Sequence, residues 1–137
     1  MAATVPQTQH AVQLVGPSEL KLNTAKPVPV PGAHEILAKI EAVGLCFSDL
    51  KLLKQFDQHA RKTEIVGGIV PAVLGEMQSY QPGTRPTVPG HEVVCRVVAV
   101  GEQVKHHQVG QRCLVQADYR QFPTAGGSNA AFGYNFE

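Results

Sequence analysis

Apolar and polar residues alternate over His10–Val15 (HAVQLV), the pattern of a strand with one buried face, and Gly16-Pro17 closes it. Glu19–Leu22 (ELKL) is placed to fold back on that strand as a hairpin, and residues 1–9 read as a loose lead-in. Lys26–Gly32 (KPVPVPG) carries prolines at alternate positions. Each fixes φ and removes a donor, so this stretch is expected to be extended and outside any sheet. Glu35–Val43 (EILAKIEAV) is ambiguous in composition. Its alternation predicts a strand, with Ile36, Ala38, Ile40 and Ala42 on one face, Lys39 and Glu41 on the other, and Gly44 as the break. Ser48–Lys54 (SDLKLLK) predicts a short helix with Ser48 as N-cap and Asp49 in the first turn.

Residues 55–89 are punctuated by Gly67, Gly68, Gly75 and several prolines. They exceed the usual connection between elements, so they predict a functional lobe or a mobile loop with a turn of helix. Val93–Val100 (VVCRVVAV) is a dense β-branched run and predicts a buried strand. Gly101–Gly110 is a polar connection, and Arg112–Gln116 (RCLVQ) the returning strand. Residues 117–137 hold few aliphatics, and Gly126-Gly127 is expected to break any regular element. The aromatic stretch running to Glu137 reads as a cut chain rather than a natural terminus. Residues 1–137 are thus expected to be one mainly-β domain with short helices, taken from a longer protein.

Composition narrows the function. With 12 Lys plus Arg against 11 Asp plus Glu, the formal charge is +1, which argues against a nucleic-acid surface. Hydrophobic residues at 43% argue against disorder. No stretch approaches the roughly 20 apolar residues of a membrane helix. MAATVPQTQH lacks the charge and apolar run of a signal peptide. Three cysteines do not make a paired disulfide framework, so a reduced, cytoplasmic protein is expected.

Two strings could carry chemistry. Gly44-Leu45-Cys46-Phe47-Ser48-Asp49 lies at a strand-to-helix junction, and Pro89-Gly90-His91-Glu92 at the mouth of a strand. Thiolate and imidazole are preferred zinc ligands, a cysteine beside a helix N-terminus has its thiolate favoured, and Asp49 could accept the second ring N–H of His91. On residue types alone, a lone Cys is more often a small buried hydrophobe and a lone His a packing residue. Glu92 either faces the metal or caps the strand mouth. Cys95 and Cys113 sit in apolar strands and read as core. His59, His106 and His107 lie in polar stretches and read as solvated, and His10 and His34 carry no signal.

GLCFSDLKLL, PTVPGHEVVCRVVAVG and VGQRCLVQ, in that order, resemble the N-terminal catalytic domain of the zinc-dependent medium-chain alcohol and polyol dehydrogenases. The strings ADYRQFPTAGG and FGYNFE are similar to sugar and sugar-phosphate reductases of that family. The resemblance implies a GroES-like, partly open β-barrel. It implies Cys46, His91 and neighbouring Glu92 at a catalytic zinc, Ser48 as proton relay and Asp49 as support for His91. It also implies hydride exchange with NAD or NADP on a domain absent here, and a small alcohol, ketone or sugar as substrate, with a homo-oligomer left open. The family's third protein ligand lies further along, so this segment alone is expected to bind metal poorly and to be inactive. The four closely spaced Cys of a structural zinc are missing from residues 117–137, so no structural zinc is expected. No G-x-G-x-x-G occurs. Three other readings compete: a zinc-free quinone reductase-type relative, a non-catalytic GroES-like interaction module, and a Cys46–His91 nucleophile enzyme.

Overall fold

Alternating polarity and a tight turn give the first element pair, an antiparallel hairpin of β1 (Thr8–Gly16) and β2 (Glu19–Pro27). Both strands exceed the sequence expectation: Thr8 and Gln9 of the lead-in pair with Pro27 and Lys26, so β2 takes in the first proline. The structure, a computed structural model, describes residues 4–65, 69–123 and 129–137, with the backbone only for 118–123 and 129–130. Gly67-Gly68 and Gly126-Gly127 lie outside the described residues.

The central sheet has the order β3 (Ile36–Gly44), β4 (Glu92–Val100), β5 (Arg112–Leu114), all antiparallel. Glu41 fastens it from outside, accepting from Arg96 Nε at 2.8 Å and Arg112 Nε at 2.7 Å, and the Arg96 bond leads in holding its carboxyl below the usual value. In β4 the expected burial holds at Cys95 and Val97, exposed 2% and 1%. In β3 it does not: Ile36 and Ala38 are half-buried, while Ile40 and Ala42 are exposed. Register shifts between Leu37 and Ala38, and between Ile40 and Ala42, interrupt the two-residue alternation that would hold all four on a covered face. Cys113, expected in the core, is only half-buried opposite Cys95. A third small sheet pairs β6 (Asp118–Pro123) with β7 (Asn129–Ala131), within a segment expected to lack regular structure.

Helix α1 (Phe47–Gln55) buries Leu52 against Leu14, Phe56, Ala131 and Tyr134. Each such fully buried side chain stabilises the fold by about 2 kcal/mol relative to exposure. The hairpin is tied to this helix at its tip, where Ser18 N–H donates to Leu53 O at 2.7 Å.

The described residues of 55–89 form a packed lobe. It contains two 3-10 turns (Phe56–Gln58 and Ala60–Lys62) and α2 (Pro71–Glu76), with proline at the favoured start of the latter. Ile65, Leu74 and Tyr80 cluster with Phe136, and the Tyr80 and Phe136 rings lie 5.2 Å apart. Lys62 is wholly buried beneath this lobe, its ammonium donating to the carbonyls of Gln81 and Arg85. Burial pushes its pKa down to about 8 from 10.5. Between those values the unfolded chain binds the extra proton, so stability must rise with pH across that window. Difference melts of wild type and Lys62→Met from pH 7 to 10 should show the wild type gaining on the variant above pH 8, with a slope approaching about 1.4 kcal/mol per pH unit. A pH-independent difference would contradict this burial.

The fold is therefore mainly strands with few short helices, in sheets that do not close into a barrel. Among the described residues no helix is long and apolar enough to cross a membrane.

Candidate metal centre

The carboxylate of Asp49 organises the first string. Its Oδ2 accepts the backbone N–H of Cys46 at 2.9 Å, so Cys46, and not Ser48 as expected, is the N-cap of α1. This frees the Ser48 hydroxyl to turn toward the thiol, with Oγ 2.7 Å from Cys46 Sγ. Asp49 sits in the first helical turn, where the helix dipole favours a negative charge, and is 7% exposed.

The second string meets the first through the β3–β4 pairing, which sets Gly44 opposite Glu92 and carries His91 to the start of α1. Chain positions far apart in sequence thereby converge: His91 Nε2 lies 3.2 Å from Cys46 Sγ and 3.2 Å from Ser48 Oγ. On the other side of the ring, His91 Nδ1 lies 3.2 Å from Asp49 Oδ1. That pair is misaligned for a hydrogen bond, and neither buried atom has another partner. Asp49 thus touches both strings. The Glu92 carboxylate is exposed at the edge of the group, and one donor atom each from Cys46, His91 and Glu92 lies within 4.8 Å of the others. Gly44 leaves room for it, since a Cβ there would come within 2.6 Å of Glu92 Oε2.

The donor set fits zinc. Tetrahedral bonds of about 2.3 Å to sulfur and 2.1 Å to nitrogen separate the ligand atoms by about 3.5 Å, close to the spacing observed. A cation on Nε2 would also fix the ring proton on Nδ1, facing the orphaned Asp49 Oδ1 at 3.2 Å, where a small turn of the ring would let that oxygen accept it.

Tyr134 was not marked by its sequence. It follows Gly133, whose φ is +77°, and a Cβ on Gly133 would lie 2.4 Å from Gly90 O. This backbone contact seats the Tyr134 ring 5.3 Å from that of His91, on the cleft that Ser48 also lines. Burial raises the Tyr134 pKa, which keeps the phenol protonated near neutrality. His59, expected in solvent, is half-buried with its ring 5.1 Å from that of Tyr134, and its Nδ1 accepts the Arg61 N–H. Ser48, Lys51, His59, Arg61, His91 and Tyr134 enclose a cleft of about 380 Å³. Any signal for Tyr134 lay only in the aromatic string FGYNFE, whose chemistry its sequence does not reveal.

Among known proteins, bovine sorbitol dehydrogenase is 34% identical over 116 residues, which cover 85% of this chain and 26% of that protein. L-sorbose 1-phosphate reductase of Klebsiella pneumoniae is 32% identical over 82% of this chain and 23% of its own length. The crystal structure of a putative zinc-binding dehydrogenase from Sinorhizobium meliloti bound to NADP superposes on 75% of this chain and 23% of its own, with a TM-score of 0.50 and 28% identity. The chain thus spans about a quarter of the length of these relatives. The alcohol dehydrogenase GroES-like domain family matches residues 32–131, in keeping with the strand-rich, unclosed sheets. On that match and on the sorbitol dehydrogenase similarity, this chain belongs to the alcohol dehydrogenase GroES-like domain family.

Proposed function

We propose that this chain is the zinc- and substrate-binding part of an alcohol or polyol dehydrogenase that exchanges hydride with NAD or NADP. The observation that carries the reading is the approach of Cys46 Sγ and His91 Nε2 to 3.2 Å, with Asp49 behind both. Cys46 and His91 would hold the metal, with the exposed Glu92 carboxylate beside it. When bound, zinc supplies a Lewis acid that polarises a substrate oxygen. No structural zinc belongs to the proposal.

Ser48 Oγ, beside both ligand atoms, holds and passes the substrate hydroxyl proton. Tyr134 lines the cleft beside Ser48 and, kept protonated by its burial, does not act as a base there. Asp49 orients the imidazole and fixes the backbone of Cys46. The nicotinamide is supported by the NADP-bound relative, and none of this chain's residues is assigned to it. A reducing, cytoplasmic compartment belongs to the same proposal, because the Cys46 thiol must escape oxidation to bind metal.

Elemental analysis of the purified protein supplied with zinc should find a single zinc per chain, lost on prolonged chelation. A protein that takes up no zinc would refute the reading in favour of a zinc-free relative. The positioning role of Asp49 has its own check: Asp49→Asn should weaken zinc about 10- to 100-fold in competition with a chromophoric chelator. Unchanged affinity would remove Asp49 from the site.

A further inference from the structure

Cys95 and Cys113 stand directly opposite one another in the β4–β5 pair. The bonds on either side fix their register. Val97 N–H donates to Gln111 O at 2.9 Å and Val115 N–H to Val93 O at 3.0 Å, each two residues from the cysteines along both strands. The pair therefore occupies a hydrogen-bonded position of an antiparallel ladder, where Cα atoms lie about 5.5 Å apart and both side chains leave the sheet on the same face. A disulfide accepts Cα separations of about 4.4–6.8 Å, so the two backbones already stand at bridging distance. The thiols also interact: burial raises the Cys95 pKa first, and the neighbouring Cys113 thiolate second.

The two sulfurs are unequal. Cys95 is 2% exposed within β4, whereas Cys113 is half-buried on β5, the outer strand of the sheet. An oxidant in solution reaches Cys113 first. Opposed Cβ atoms in a ladder stand about 4.5–5.5 Å apart, while a disulfide holds them at about 3.8 Å, so closing the bond must draw β5 inward. β5 is three residues long and can yield where a central strand would not. A bond closed against such resistance is one that small thiols reopen, unlike a structural disulfide.

We propose that Cys95 and Cys113 form a reversible dithiol–disulfide site, oxidised by a low-molecular-weight disulfide of the glutathione type. Cys113 attacks one sulfur of the oxidant, and the other half leaves as a free thiol that carries off the Cys113 proton. Cys95 then attacks the Cys113 sulfur and displaces the second half, which leaves as a thiol with the Cys95 proton. One protein dithiol and one small disulfide thus become one protein disulfide and two small thiols, with two electrons passing from the protein's sulfurs to the oxidant's. The new bond clamps the hairpin that runs through residues 101–110. Cys46 takes no part, so the inference does not rest on the metal site.

Cys46→Ala leaves this pair as the remaining thiols of the chain's three and removes zinc from the test. That protein, treated with oxidised glutathione and digested without reduction, should yield a Cys95–Cys113 linked peptide, with both thiols lost and no glutathione retained. Excess reduced glutathione should restore both thiols. With Cys95→Ala added, the mixed disulfide should be trapped on Cys113. With Cys113→Ala added instead, a change at a half-buried edge position that keeps the fold, the buried Cys95 should remain a free thiol. Three results would each overturn the inference: glutathione that stays on Cys113 while Cys95 remains free, thiols that resist oxidation in the folded protein, and a disulfide that excess reduced glutathione does not open.

Discussion

Replacing Cys46 by alanine is expected to strip the metal from the protein, lowering zinc affinity by well over the roughly 100-fold that loss of a supporting carboxylate can cause. On the proposed reading the Cys46 thiolate and the His91 imidazole are the principal donors, and the exposed Glu92 carboxylate is the weakest placed of the three candidate groups. Removing sulfur leaves an imidazole and a surface carboxylate, a pair with little preference for zinc over solvent. The fold should survive. Cys46 is only half-buried, and the Asp49 bond to its backbone N–H does not depend on its side chain. Zinc content and the thermal midpoint, measured together, check both halves. A variant with full zinc would show that the thiol is not a ligand. Cys95→Ala and Cys113→Ala are the controls and should retain zinc, since both lie within the β4–β5 pairing.

The second large effect is on stability. Gly133→Ala should destabilise the protein by about 2–4 kcal/mol, read as a lower denaturant midpoint with an unchanged slope. Two costs combine. The left-handed φ of +77° penalises any side chain by about 1–2 kcal/mol. The new Cβ would also lie 2.4 Å from the Gly90 carbonyl oxygen, against backbone that cannot swing aside as a side chain would. Relief requires moving the 133–136 turn away from Gly90, and both ends of that shift touch the site. Gly90 precedes His91, and Gly133 precedes Tyr134, whose rings now lie 5.3 Å apart. Zinc affinity should fall with stability. A stable Gly133→Ala protein with normal zinc binding would show that this contact positions nothing.

The candidate ligands are legible because their chemistry is local in sequence. Cys46, Ser48 and Asp49 lie within one strand-to-helix junction, and His91 with Glu92 opens a strand whose β-branched residues announce it. The helix start was misplaced by two residues for a physical reason. A carboxylate at Asp49 reaching back to the Cys46 N–H competes with a hydroxyl cap at Ser48, and residue propensities do not rank the two. The covered face of β3 was misread because bulges cannot be seen in an alternating string. His59 and Tyr134 were missed because nothing beside them marks them. Their roles arise from the Gly133–Gly90 approach and from a lobe whose packing partner, Phe136, lies far along the chain.

The central claim is that sulfur from Cys46 and nitrogen from His91 bind one cation. Titration with cobalt(II) under anaerobic conditions tests it most directly, because a thiolate bound to cobalt gives a charge-transfer absorption in the near ultraviolet and tetrahedral coordination gives intense visible bands. The structure predicts both signals, saturating at one equivalent, both abolished by His91→Ala and the charge-transfer band abolished by Cys46→Ala. A titration without the thiolate band, or a band that persists in Cys46→Ala, would contradict it.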